Sequence, residues 1–320
     1  MKRKMTDRSN NNGRGYEYIF LLTLEEEISK TRKVIIEHNT SYYASKRAWE
    51  SLDKDTQNCL KISSKSAIIR LFDLEPLILE NDNDTLSLYI QQDVKGEKGD
   101  VRDIIIIRSS INWEIGLSIK HNHFAVKHSR LSAKLDFGEE WFNDECSNEY
   151  WKEIKPIFEY LKDEKEKQTK WSDLPNKEQD VYVPLLKAFM NEIKRSYEKD
   201  KNLPQKMAEY LLGKYDFYKV ISVDKEHITK IQPYNIRGNL NKSSKTIKPK
   251  IIIPISSLPT NIKLLDFKDN SNNTLEMYLN NYWTFSFRIH NASTIVEPSL
   301  KFDIQICGMP TTIITINCIW

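Results

Sequence analysis

Hydrophobic and polar positions divide the chain into alternating blocks. Helical spacing near the N-terminus gives way to strand-like runs between Leu86 and Lys120, alternating at Leu86–Gln91 and Trp113–Lys120, helical spacing returns from Tyr150 to Lys214, and strand-like runs resume from Asp216. That order predicts an α/β protein, with a mixed central sheet, flanking helices and a β-rich C-terminal part. Residues 1–16 lack periodicity, are rich in Lys, Arg and Asn, and read as a flexible basic tail. The folded body then covers 17–320, with a core at about 60–140, a helical segment at about 150–214 and a β-rich part at about 216–320.

Thr23 followed by Glu26 forms a capping-box pattern, with Leu24, Ile28 and Val34-Ile35-Ile36 along one side of the helix it opens. Further helices are expected from Thr40 or Ser41 and over Gln57–Leu74. LSLYIQ, Leu86 to Gln91, alternates as a strand. Ile104 to Ile107 are consecutive isoleucines, a buried-strand signal, with Asp103 at the strand's mouth. Trp113, Ile115, Leu117 and Ile119 then alternate with Glu114, Gly116, Ser118 and Lys120, which predicts a second strand antiparallel to the first. A turn centred on Ser110 and Ile111 places Asp103 opposite Ser118, and a centre one residue later places it opposite Lys120.

Asn122 suits the N-cap of a helix running to about Leu135, on which His123, Lys127, Arg130 and Lys134 would share a side. A solvated helix face is the plainer reading of that stripe, and a phosphate-binding surface the sharper one. Beyond the helical segment, YDFYKVISVD, HITKIQPYNIRG and KIIIPISSL read as strands, separated by the basic loop Asn239–Lys250. In the final segment Trp283, Phe285, Phe287 and Ile289 oppose Thr284, Ser286, Arg288 and His290, so one face is apolar and the other polar. Arg288, His290 and Asn291 together suit the reading of base edges, although a sheet with one wet face needs no such role.

Composition narrows the choices only modestly. A net charge of +3 and a pI near 8.4 permit a polyanionic partner without requiring one. Cys59, Cys146, Cys307 and Cys318 show no metal-ligand spacing and read as reduced thiols, pointing to the cytoplasm. Apolar runs are too short to span a bilayer, and no leader pattern is present. The histidines include no zinc motif, His121-Asn122-His123 is too compact for an HNH nuclease, and no glycine-rich phosphate loop appears.

An acid at one strand's mouth and a lysine at its partner's end is the arrangement of a metal-dependent nuclease of the PD-(D/E)XK type. Phosphodiester hydrolysis needs charge neutralisation, an activated water and help for the leaving oxyanion, which Mg2+ held by carboxylates supplies. Asp103 would ligate the metal, the carbonyl of Ile119 would add a backbone ligand, and Lys120 would position the nucleophile. The acid expected two residues before that lysine is Ser118. Glu114 lies about 20 Å from Lys120 along an extended strand, so Asp100, Glu75 and Glu80 are the alternatives for the missing carboxylate, with Glu114 behind them.

GDVRD (Gly99–Asp103), WEIGLSIKHNHFAVKHSRLS (Trp113–Ser132) and FRIHNASTIVEPSLKFDIQ (Phe287–Gln305) resemble the HaeIII-type type II restriction endonucleases, over roughly Tyr42 to Pro310. The resemblance implies a restriction-endonuclease-like fold and a magnesium-dependent nuclease cutting both strands of duplex DNA at GGCC. It also implies a restriction-modification system with a cognate DNA methyltransferase. Its catalytic pair falls on Asp103 and Lys120, with Ser118 departing from the acid. Arg130 and Arg288 are then the candidates for guanine, with His121, Asn122, His123, Lys127, His290 and Asn291 as further DNA contacts, and a palindromic site suits a homodimer. Because Ser118 replaces an acid, a non-catalytic DNA-binding protein on a decayed nuclease scaffold remains the alternative.

Overall fold

The structure, a computed structural model, describes residues 2–92, 99–123 and 129–320, with side chains from residue 11 onward. The chain forms two compact units, Met1–Phe124 with Lys214–Ser256 and Thr311–Trp320, and Ala125–Gly213 with Ser257–Pro310.

The first unit opens with α1, Lys2–Ile28. Tyr16, Phe20, Leu24 and Ile28 recur every fourth position and are all fully buried, so the segment expected to be a flexible tail to residue 16 instead begins a core helix. Thr23 is likewise interior to α1, where its hydroxyl donates to the Ile19 carbonyl at 2.7 Å instead of capping a start. Val34–Ile36 is strand β1, not helix, because it pairs in parallel with β2, Leu86–Ile90. Between them lie α2, Thr40–Glu50, capped by Asn39, and α3, Lys54–Leu74, capped by Asp53.

Strand β3, Ile104–Arg108, pairs antiparallel with β2 and with β4, Trp113–His121. The turn between them is a short 3-10 segment, Ser109–Ile111, closed by Asn112 at φ 49°. Ile104 faces Leu117, which carries Asp103 opposite Ser118, the first of the two expected registers.

The chain then crosses to the second unit with β5, Arg130–Ser132, where a helix to Leu135 was expected. Leu131 is fully buried and opposite Leu300, so sheet pairing overrides the helical spacing of its neighbours. Helices α4 (Phe137–Phe142), α5 (Asn148–Glu166), α6 (Val183–Lys199) and α7 (Leu203–Leu212) follow. Returning to the first unit, β6 (Phe217–Val223) joins β4 in parallel, and β7 (Ile228–Tyr234) folds back on β6. Ile251 to Leu258, expected as a strand, forms none; Asn241 instead receives the Ile253 amide on its side-chain oxygen.

The second unit completes its sheet with β8 (Ile262–Phe267), β9 (Thr274–Leu279), β10 (Thr284–His290) and β11 (Ser299–Gly308), in the antiparallel order β5-β11-β10-β9-β8. As the alternation requires, Trp283, Phe285, Phe287 and Ile289 are all fully buried, and Phe189 of α6 packs 4.9 Å from Phe302. The last strand, β12 (Ile316–Ile319), pairs with β7 and closes the first sheet in the order β1-β2-β3-β4-β6-β7-β12. No helix among the described residues is long and apolar enough to cross a membrane.

Candidate active site

At the mouth of β3, the Asp103 amide donates to the Leu117 carbonyl at 2.7 Å, which fixes its side chain beside the end of β4. Three donors converge on its Oδ2: the Ile119 amide at 2.6 Å, Lys120 Nζ at 3.0 Å and the Ser118 hydroxyl at 3.3 Å. Acid, serine and lysine therefore meet as the hairpin register demands. Burial disfavours the Lys120 charge, but the charge and hydrogen bond of Asp103, helped by Glu17, outweigh it and hold the ammonium above its ordinary value.

Sequence reading missed the next member. Lys219 of β6 lies opposite Ser118 in parallel register, on the face that carries Asp103 and Lys120, and is only 4% exposed. Burial first, and the charge of Lys120 second, push its amine down to about 7. The signal was a lysine in the middle of the apolar run FYKVISV, but only the sheet order reveals which strand it joins.

The other proposed carboxylates lie elsewhere. Asp100 holds Arg102 through two contacts of 2.8 Å, and Glu114 takes the same guanidinium at 2.6 Å. Arg102 also lies 4.1 Å over the Tyr215 ring. Asp100 is thus spent on an ion pair instead of supporting Asp103, and Glu114 is drawn away from Lys120. Gly116 enters no bulge: a Cβ there would stand 2.0 Å from Arg102 Cδ, so the glycine lets Arg102 cross the strand. Glu75 is fully buried and accepts from the Tyr218 hydroxyl at 2.6 Å, whereas Glu80 is paired with the buried Arg108 at 2.9 Å. Neither joins Asp103.

Among the proposed DNA contacts, His121 and Asn122 close the end of β4. Asp224 bonds His121 Nε2 at 2.7 Å and accepts from Asn122 Nδ2 at 3.0 Å, while Asn122 Oδ1 receives the Asp224 amide. His121 Nε2 and the Asn122 amide are thus engaged with Asp224 within the unit, while Asn122 stays exposed. His123 is exposed, and Lys127 lies outside the described residues. In the second unit, Arg130 donates to Ser299 at 2.9 Å and is exposed on β5, while Arg288 on β10 pairs with Asp303 at 2.9 Å with half its side chain open. Burial, then Arg288, lowers the His290 pKa. Asn291 lies past the end of β10 and donates to the Ser293 and Ile295 carbonyls of its own loop at 2.7 and 2.8 Å.

A divalent cation finds a small but chemically suitable donor set here. The hydrogen bonds from Ser118, Ile119 and Lys120 all fall on Oδ2 of Asp103, and the hard oxygens of a carboxylate and the Ile119 carbonyl would suit magnesium, which keeps several waters and completes its shell with phosphate. No group of three or more His, Cys, Asp or Glu able to hold a metal occurs among the described residues.

Comparison with known proteins supplies what geometry alone leaves open. Residues 13–310 match the model of the HaeIII restriction endonuclease family. The type II restriction enzyme HaeIII of Haemophilus aegyptius is 52% identical over 317 residues, covering 99% of both chains. No solved structure matches the chain. Asp103, Ser118 and Lys120 fall within the matched span, and with a family model and a full-length relative in agreement, the chain belongs to the HaeIII restriction endonuclease family and is a site-specific restriction endonuclease.

Proposed function

We propose that this protein is a type II restriction endonuclease that hydrolyses phosphodiester bonds in both strands of duplex DNA at GGCC, with magnesium as cofactor. It acts in the cytoplasm as a homodimer, whose two-fold symmetry suits a palindromic site, alongside a methyltransferase that shields host DNA. The observation that carries the reading is the convergence of Ser118, Ile119 and Lys120 on one oxygen of Asp103, in a chain so similar to a type II restriction enzyme. Ser118 keeps a hydrogen bond to Asp103 where an acid was expected, so its presence does not favour a decayed scaffold.

Asp103 and the Ile119 carbonyl would hold the magnesium ion, which when bound neutralises phosphate charge and lowers the pKa of a coordinated water. Lys120, kept charged by Asp103, orients the attacking water and offsets charge building on the phosphate instead of removing the proton. Lys219 adds a second amine to the same face, next to the phosphate's expected position. Arg130 and Arg288 supply the forked donors that guanine O6 and N7 accept.

Incubating plasmid of known sequence with the protein tests the reading. Discrete fragments ending at GGCC, formed with magnesium and not in EDTA, are expected, and prior methylation of GGCC should block them. A smear, fragments ending elsewhere, or equal cutting in EDTA would overturn it.

A further inference from the structure

The polar face of the second sheet contains an ordered array that the sequence did not expose. Register aligns Arg130 of β5 with Lys301 of β11, and Lys301 with His290 of β10. One step along, Asp303 of β11 stands opposite Arg288 of β10. Side chains two residues apart on a strand share a face, so these five groups lie together. Adjacent strands are about 4.8 Å apart, so the three-strand row spans about 10 Å, within the roughly 12 Å width of a DNA major groove.

Three details separate this array from an ordinary wet face. Arg288 Nη2 donates to Asp303 Oδ2 at 2.9 Å while its side chain is 53% exposed, so the guanidinium is anchored at one corner and presented outward. Asp303 is only 8% exposed, and its Oδ1 is buried with no hydrogen-bond partner, an arrangement that costs stability unless it serves another end. His290 Nδ1 is orphaned in the same way. The cations also disfavour one another: burial and then Arg130 lower the Lys301 pKa, and burial and then Arg288 lower that of His290. A face with too much positive charge, a buried acceptor and a half-free arginine fork is arranged for a polyanion with acceptor-rich base edges.

We propose that Asp303 is a positioning residue for specificity, holding the Arg288 fork in the plane that reads guanine O6 and N7 in the recognition site. The inference rests on the endonuclease reading above and assigns its base-reading element. Lys301 and His290, aligned in register with the other guanine-reading arginine, Arg130, add the positive charge that draws phosphate to the same face. Asp303 touches the DNA only through Arg288.

The test turns on sign. Removing a negative charge from a DNA-facing surface strengthens binding to any duplex if electrostatics alone operate. Asp303→Ala should instead weaken binding to a short duplex carrying GGCC by about tenfold or more, while binding to a scrambled duplex holds or tightens, measured by fluorescence anisotropy in EDTA. Arg288→Lys, which keeps the charge and loses the fork, should lose the same preference. Asp303→Asn, which retains an acceptor for Arg288, should keep most of it and guards against a folding defect in the alanine variant. If Asp303→Ala and Arg288→Lys both bind GGCC with undiminished preference, the positioning role is overturned. Wild-type protein that leaves plasmid uncut at GGCC would instead overturn the endonuclease reading, so the two failures are distinguishable.

Discussion

Gly116 and Arg102 share one space: the position of a Cβ on Gly116 lies 2.0 Å from Cδ and 2.6 Å from Cγ of Arg102. The arginine crosses the middle of β4 at the one residue without a side chain, and from there pairs with Asp100 and Glu114. Gly116→Ala must push it off. We expect a loss of about 1–3 kcal/mol from overpacking, with part of it from two acids losing their partner. Urea unfolding of Gly116→Ala, Arg102→Ala and the double variant checks this: the double should lose much less than the sum of the singles, and strict additivity would separate the two residues.

Lys120→Ala removes the ammonium that contacts Asp103 at 3.0 Å and that the proposed function assigns to orienting the attacking water. Cleavage of GGCC-bearing plasmid should fall by at least about 100-fold. Binding to GGCC duplex in EDTA should persist, because no base contact is assigned to this residue. Binding that falls in step with cleavage would move Lys120 from the reaction to recognition.

Lys219 links the face that carries Asp103 and Lys120 to stability through pH. An ordinary lysine holds its proton to about 10.5, whereas Lys219 in the folded protein releases it near 7. Between these values the unfolded chain binds more protons, so this group's contribution to stability is present above 10.5 and is lost as pH falls toward 7. Lys219→Met should therefore be more stable than wild type at pH 7, by at most on the order of 4 kcal/mol. The gap should shrink as pH approaches 10. Parallel denaturation curves with a pH-independent gap would refute it.

Glu75 has the opposite sign. Its carboxyl, lifted from 4.5 to about 7 by burial against the pull of Asn241 and Tyr218, holds a proton in the folded state where the unfolded chain has lost it. Its contribution is complete below 4.5 and is lost as pH rises through 7. Glu75→Gln, which mimics the protonated form, should erase that limb. Relative to the variant, wild type should lose on the order of 3 kcal/mol between pH 4.5 and 7.5, read from thermal or chemical unfolding at stepped pH.

The hairpin that brings Asp103 to Lys120 was legible because its signals are local. Four isoleucines, a short turn and strict alternation fix a register with two choices, and both bring an acid to a lysine. What lay hidden depended on distant partners. Nothing adjacent in sequence shows that Arg102 folds back over Gly116, that β6 arrives beside β4 and brings Lys219, or that Asp303 faces Arg288. Short elements misled for the same reason. Val34–Ile36 and Arg130–Ser132 are three residues each, too brief for periodicity to distinguish strand from helix, and only their sheet neighbours decide.

The strand that carries Lys120 has its two neighbours from very different points in the chain. Strand β3 precedes it directly, while β6 follows only after β5 and helices α4 to α7, and β7 awaits β12 near residue 319. A chain emerging N-terminus first therefore exposes Asp103 and Lys120 long before their sheet is whole. A nascent chain therefore carries Asp103 and Lys120 before β6, the strand that sets Lys219 opposite Ser118, has been made.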